Sequence, residues 1–93
     1  MSLLAEWPVG KTLDLVFTIK VGGVLTDASQ TPVIRVQDSA HIVTTPGVVR
    51  VSLGTYKATI IPDKAGIWAW DATSVNPNQF EQAHFLVVPK YIP

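Results

Sequence analysis

The side chains in this sequence that could do chemistry are few: His41, His84, seven carboxylates and five serines, with no cysteine. His41 and His84 fall on different predicted strands and lack a His-x-x-x-His spacing. A zinc centre needs three or four convergent ligands, so each is read as a surface or turn histidine. Asp63 could pair with Asp71 or Glu81, because acid–base catalysis uses two carboxyl groups of separated pKa in a concave site. Asp63, however, follows Pro62 in a turn, where an aspartate caps backbone N–H groups. Asp71 falls on the outward phase of its strand and is expected to be solvated. No serine lies in a Gly-x-Ser-x-Gly elbow. Gly22-Gly23 runs into Val24-Leu25 rather than Gly-Lys-Ser/Thr, so it is not a phosphate loop. The expectation is a chain that is not an enzyme and holds no cofactor and no metal.

Aromatic side chains offer binding rather than reaction. Trp68 and Trp70 are two apart and therefore share one face of a strand. As core residues they supply the large fillers that a small all-β domain needs, and this reading carries the greater weight. As an aromatic platform for carbohydrate or a protein they would require Ile67 and Ala69 to point inward instead. Trp7 precedes Pro8 near the start of the chain, where it caps the open end of its own domain or anchors an arm to a neighbour. The segments Leu3–Pro8 and Tyr91–Pro93 are apolar, whereas chain ends are usually polar. They pack along their own domain or dock on partners as extended arms. Trp7, Val49, Val51, Tyr91 and Ile92 are the candidate contact residues.

The elements that must position these residues follow from period-two alternation. Residues 54–70 carry the clearest pattern, two adjacent strands joined by a fixed corner. Tyr56, Ala58 and Ile60 alternate with Lys57, Thr59 and Ile61, then Pro62 to Gly66 punctuates before Trp68 and Trp70 resume the alternation. Tyr56, Pro62 and Gly66 are the fold-determining residues of this stretch. Thr12 to Lys20 predicts a strand with Leu13, Leu15, Phe17 and Ile19 inward, and Val21–Val24 a glycine turn. Further strands are expected at 25–28 (a connector or edge strand), 33–38, 41–45, 48–53 and 80–88, with Gly54-Thr55 as a two-residue turn and Asn76-Pro77-Asn78 as another. Seven or eight short strands without a helix fit an all-β fold, an immunoglobulin-like two-sheet antiparallel β-sandwich.

Composition bounds the partners. At 93 residues the chain, 1–93, is expected to be a single domain with short apolar arms. Seven basic and seven acidic residues cancel, and the basic ones are scattered singly, which disfavours nucleic acid. Charged residues are only 15% of the chain, against about 25% in an average soluble protein, and a neutral, weakly charged surface promotes association. No apolar run approaches the roughly 20 residues of a membrane-spanning helix. The start, Met1 to Glu6, lacks a basic segment and a long apolar one, so no signal peptide is expected.

Gly54-Thr55-Tyr56-x-Ala58…Pro62…Gly66-x-Trp68 resembles the Gly-x-Tyr…Pro…Gly-x-Tyr signature of filamin-type and related bacterial immunoglobulin-like domains. The chain departs from filamin repeats at Asn76 to Glu81, where their Ile-Pro-Gly-Ser-Pro-Phe segment would stand. Over its whole length the chain looks closer to small stand-alone immunoglobulin-like proteins of tailed-phage and prophage structural gene clusters. The residues that carry this likeness are Val9-Gly10-Lys11-Thr12-Leu13-Asp14-Leu15-Val16-Phe17, the Leu25-Thr26-Asp27-Ala28 connector and the Ala65-Gly66-x-Trp68 corner. The resemblance implies a virion structural protein of the head–tail region, the tail or the particle surface. Its partners would be particle proteins or copies of itself, and it would be found in the virion, or in the bacterial cytoplasm during assembly. The alternative is a carbohydrate- or cell-surface-binding module using exposed tryptophans.

Overall fold

Short alternating segments separated by glycine and proline can hide one face only by pairing into sheets whose apolar sides meet. The computed structural model describes residues 5–89 and resolves that requirement with ten strands. They are β1 (Ala5–Pro8), β2 (Leu13–Thr18), β3 (Lys20–Val21), β4 (Val24–Leu25), β5 (Val33–Gln37), β6 (Val43–Thr44), β7 (Val49–Ser52), β8 (Thr55–Ile60), β9 (Gly66–Ser74) and β10 (Gln79–Val88). No helix occurs among the described residues. A five-stranded sheet has the order β1-β10-β9-β5-β6, a three-stranded sheet β2-β8-β7, and β3-β4 form a separate hairpin. Every pairing is antiparallel except β1 with β10.

The core draws on both larger sheets. Ile34, Val36, Trp68, Ala72, Phe85 and Val87 from the five-stranded sheet join Leu15, Phe17, Tyr56 and Ala58 from the three-stranded sheet in one buried cluster, with Ile19 just beyond β2. Among these, Leu15, Phe17, Ile19, Ile34, Val36, Phe85 and Val87 stand at positions that alternation along their strands predicts to be inward. Burying each large one contributes roughly 1.5–3 kcal/mol relative to exposure. The register explains why they coincide: Phe17 lies opposite Tyr56, Leu15 opposite Ala58, and Phe85 opposite Trp68.

The corner between β8 and β9 carries the chain from one sheet to the other, so the two strands are neighbours in sequence but not in a sheet. Pro62 is fully buried there. Gly66 takes φ +125°, and a Cβ on it would lie 2.6 Å from the Ser39 Cβ. Only glycine meets both conditions.

The strand count exceeds the expected seven or eight for two reasons. Trp7-Pro8, expected only as an extended lead-in, belongs to strand β1, paired in register with Val87 and Val88. The Val21–Val24 turn proves to be the tip of a hairpin whose arms, β3 and β4, are each two residues long. The turn before β8 is Leu53-Gly54 rather than Gly54-Thr55, since Thr55 already pairs with Ser52. Gly54 supplies the positive φ that such a turn demands.

Candidate interaction surfaces

Strand β7 lies at the edge of the three-stranded sheet. All four of its residues are exposed, and so is Leu53 after it. Val49, Val51 and Leu53 keep 55%, 54% and 50% of their surface in water. The ladder with β8 runs Val49–Lys57, Arg50–Tyr56, then shifts to Ser52–Thr55, so Val51 has no opposite residue on β8. This bulge breaks the strict alternation expected of residues 48–53.

A carboxylate holds this edge in place. Asp27 accepts a hydrogen bond from the Gly54 backbone N–H at 2.7 Å, from Arg50 Nε at 3.2 Å, and from the Tyr56 hydroxyl at 3.4 Å. An Arg50 terminal nitrogen also stands 3.1 Å from Asp27. The Arg50 guanidinium first, and then the Gly54 N–H, hold the Asp27 carboxyl below its ordinary range, while Asp27 pushes Arg50 up. The Ile19 N–H donates to the Gly54 carbonyl at 2.8 Å and the Thr26 N–H to Ile19 at 3.0 Å, which closes the attachment. Sequence reasoning placed Asp27 only in a connector. A clue lay in Asp before Ala28, a position from which a short acidic side chain satisfies turn N–H groups.

Trp7 is half-buried against the core. Its indole N–H donates to the Lys11 carbonyl at 2.8 Å, and the Lys11 ammonium sits 4.8 Å from the ring centroid. Of its two expected roles, the contacts made are those of a cap on its own domain. Tyr91 and Ile92 lie outside the described residues.

Trp68 and Trp70 do not present the exposed platform that was the alternative to their core reading. Trp68 is 6% exposed, tilts against Phe85 with ring centroids 6.0 Å apart, and donates its indole N–H to the Lys64 carbonyl at 2.9 Å. Trp70 is half-buried against the same core, while Ile67 is exposed. The strand therefore has the phase in which the tryptophans face inward.

The outer face of the five-stranded sheet carries cross-strand rows: Val33–Thr73–Phe80, Arg35–Asp71–Gln82 and Gln37–Ala69–His84. Ala69 is short beside Gln37 and His84, and a shallow depression of about 310 Å³ opens over it, lined also by Arg35 and Gln82. Asp71, expected to be solvated, is instead half-buried and receives Arg35 Nε at 3.0 Å, an ion pair that pushes Arg35 up. A second depression, of about 320 Å³, brings His41 and His84 to one rim. Among the described residues no group of three or more His, Cys, Asp or Glu side chains could hold a metal ion.

The capping role expected of Asp63 belongs to Asp38. Asp38 accepts the backbone N–H groups of Ala40 at 2.8 Å and Ile42 at 3.0 Å, and Lys64 Nζ lies 3.2 Å away. The Ile42 N–H foremost, with Lys64 and Ala40, holds its carboxyl below the ordinary range. Asp63 has an exposed side chain 3.5 Å from Lys64. Capping passes to Asp38 because the loop from Asp38 to Ile42 folds back on it, with His41 at φ +67°.

Compared with known proteins, the chain matches no family model, no curated protein and no solved structure.

Proposed function

We propose that this chain is an immunoglobulin-like β-sandwich serving as a non-enzymatic structural protein of a phage or prophage particle. It would sit in the head–tail region, the tail or the particle surface and work through protein–protein contacts. The observation that carries the contact role is the edge strand β7, whose Val49 and Val51 remain more than half exposed and whose outer side has no strand beside it among the described residues. A row of unpaired backbone groups beside apolar side chains is a template for another strand, and low net charge lets the surfaces approach. The immunoglobulin-like assignment is supported by a shared core between two mainly antiparallel sheets and by the chain crossing between them at Pro62–Gly66. The phage assignment is supported by the resemblance of Val9–Phe17, Leu25–Ala28 and Ala65–Trp68 to that class of small proteins. The particle in question is either a virion or its assembly intermediate in the bacterial cytoplasm.

The test is quantitative mass spectrometry of gradient-banded particles released from the source bacterium after prophage induction. Peptides of this chain should band with the particle in fixed ratio to other structural proteins. Their recovery only in the soluble fraction would overturn the particle assignment.

A further inference from the structure

We propose that the outer face of the five-stranded sheet binds a neutral saccharide, with one sugar ring in the depression over Ala69 and the next stacked on Phe80. This goes beyond the particle reading and does not depend on it.

The floor and rim of the depression differ in chemistry. Ala69 has only a methyl group between the longer Gln37 and His84, and the hollow it leaves is about 310 Å³. Val43, opposite Gln37 on β6, ends that row with an exposed aliphatic side chain. The neighbouring row adds Gln82 and Arg35 to the rim. An apolar floor ringed by a few polar groups suits a ligand whose ring face is apolar and whose edge is polar. A pyranose is such a molecule, with C–H bonds on its faces and hydroxyls around its rim.

The polar groups match hydroxyls better than charges. A carboxamide both donates and accepts, and a neutral imidazole does one at each nitrogen. Among the described residues, the side chains of Gln37, Gln82 and His84 have no hydrogen-bond partner within the protein. Arg35, by contrast, already gives its Nε to Asp71 at 3.0 Å, and no other Lys, Arg, Asp or Glu lines the depression. The site therefore offers no net charge to a phosphate, a sulfate or a carboxylate. An added peptide strand is disfavoured too, because it needs a free edge, whereas β9 under the depression is paired on both sides.

Phe80 supplies the second contact. It is 60% exposed and shares this face with Gln82 and His84. The C–H bonds of a sugar ring lie favourably against the electron-rich face of a phenyl ring. Phe80 stands four residues from His84 along β10, roughly 13–14 Å, a span that two to three linked sugar rings cover. Trp68 and Trp70 take no part, since both face the core.

The test is an amide NMR titration of the labelled chain with maltotriose, cellotriose, mannotriose and triacetylchitotriose, each to about 20 mM. At least one should give saturable shifts centred on Arg35, Ala69 and Gln82, with Kd below about 10 mM. Ala69→Gln, which fills the hollow, should weaken that sugar roughly tenfold or more. Phe80→Ser and Gln82→Ala should each weaken it about threefold or more, and they decide the matter if Ala69→Gln does not fold. Val16→Ser, on the other sheet, should bind like the parent. A response to none of the four sugars would overturn the proposal in favour of a protein neighbour on this face. Unchanged affinity in the folded variants, or tighter binding of the charged trigalacturonic acid, would overturn it as well. The particle assignment is read separately, from co-banding with other structural proteins, so the two can fail independently.

Discussion

The Asp27 carboxylate accepts the Gly54 backbone N–H at 2.7 Å across 27 residues of sequence, and this bond ties the edge strand β7 to the body of the fold. The contact is tight on the glycine side as well. A Cβ on Gly54 would stand 2.8 Å from the Thr26 backbone nitrogen and 2.9 Å from the Ile19 carbonyl oxygen. Gly54 is thus fixed both by its φ of +67° and by the backbone it touches.

Acid should loosen this attachment. Asp27 and Asp38 both have carboxyl groups held below the ordinary value of 3.8, through Arg50 and Gly54 in one case and Ile42 in the other. A carboxylate whose pKa is depressed on folding contributes stability that is complete above its unfolded value. The contribution is lost as pH falls through that value towards the folded one. Thermal melting from about pH 6 to about pH 2 should therefore show a fall beginning near pH 4. Asp27→Asn should melt lower than the parent at neutral pH and show a smaller acid-induced fall. Parallel curves for the two proteins would remove Asp27 from the pH response.

Gly66→Ala tests the corner between the sheets. The new Cβ meets the Ser39 Cβ at 2.6 Å and sits on a backbone at φ +125°. Strain and overpacking together should cost about 2–4 kcal/mol. Adding Ser39→Gly removes the collision but not the backbone strain, so the double variant should regain part of the loss and not all of it. Urea unfolding of the three proteins separates the two contributions, and a Gly66→Ala protein as stable as the parent would refute the role given to the corner.

What the sequence disclosed was the core and its phase. Leu15, Phe17, Ile34, Val36, Tyr56, Ala58, Phe85 and Val87 are inward because alternation is a local property that one buried face enforces. Pro62 and Gly66 were legible for a similar reason, since each restricts its own backbone. The candidate surface was legible only in part. Val49 and Val51 stood out as an aliphatic run, but the bulge between Arg50 and Ser52 depends on pairing with β8, which no local pattern reports. Asp27 and Asp38 do their work through partners up to 29 residues away, in loops without periodicity. β1 was missed because its parallel pairing with β10 joins the two ends of the described chain.

The tryptophans give an optical reading of the same phase. Trp68, buried and hydrogen-bonded to the Lys64 carbonyl, should resist iodide, while Trp7 and Trp70, half-buried, should be quenched in part. Proteins that retain one tryptophan each, the others replaced by phenylalanine, resolve the three. Trp68→Ala should cost about 3–5 kcal/mol, a large fraction of the roughly 5–14 kcal/mol expected for a domain of this size. Strong quenching of Trp68 in a folded protein would restore the exposed platform and sink the core assignment.

Trp7 is the remaining point of decision, because it fixes whether β1 belongs to its own domain. The strand gains parallel pairing with β10 over Ala5–Pro8, and Val9 and Gly10 then donate to the Val88 and Pro62 carbonyls at 3.0 and 2.8 Å. The indole is the one large side chain holding that strand against the core. Removing it in Trp7→Ala should cost about 1.5–3 kcal/mol of apolar burial. The loss should be local as well as global. Amide exchange at Val9 and Gly10 should accelerate far more than at Leu15 or Ala58, as expected when an edge strand opens as a unit. Equal acceleration at all four amides would mean that β1 unfolds only with the whole domain. Unchanged exchange and stability would mean that Trp7 does not hold the strand, returning it to the role of an anchor for a neighbour.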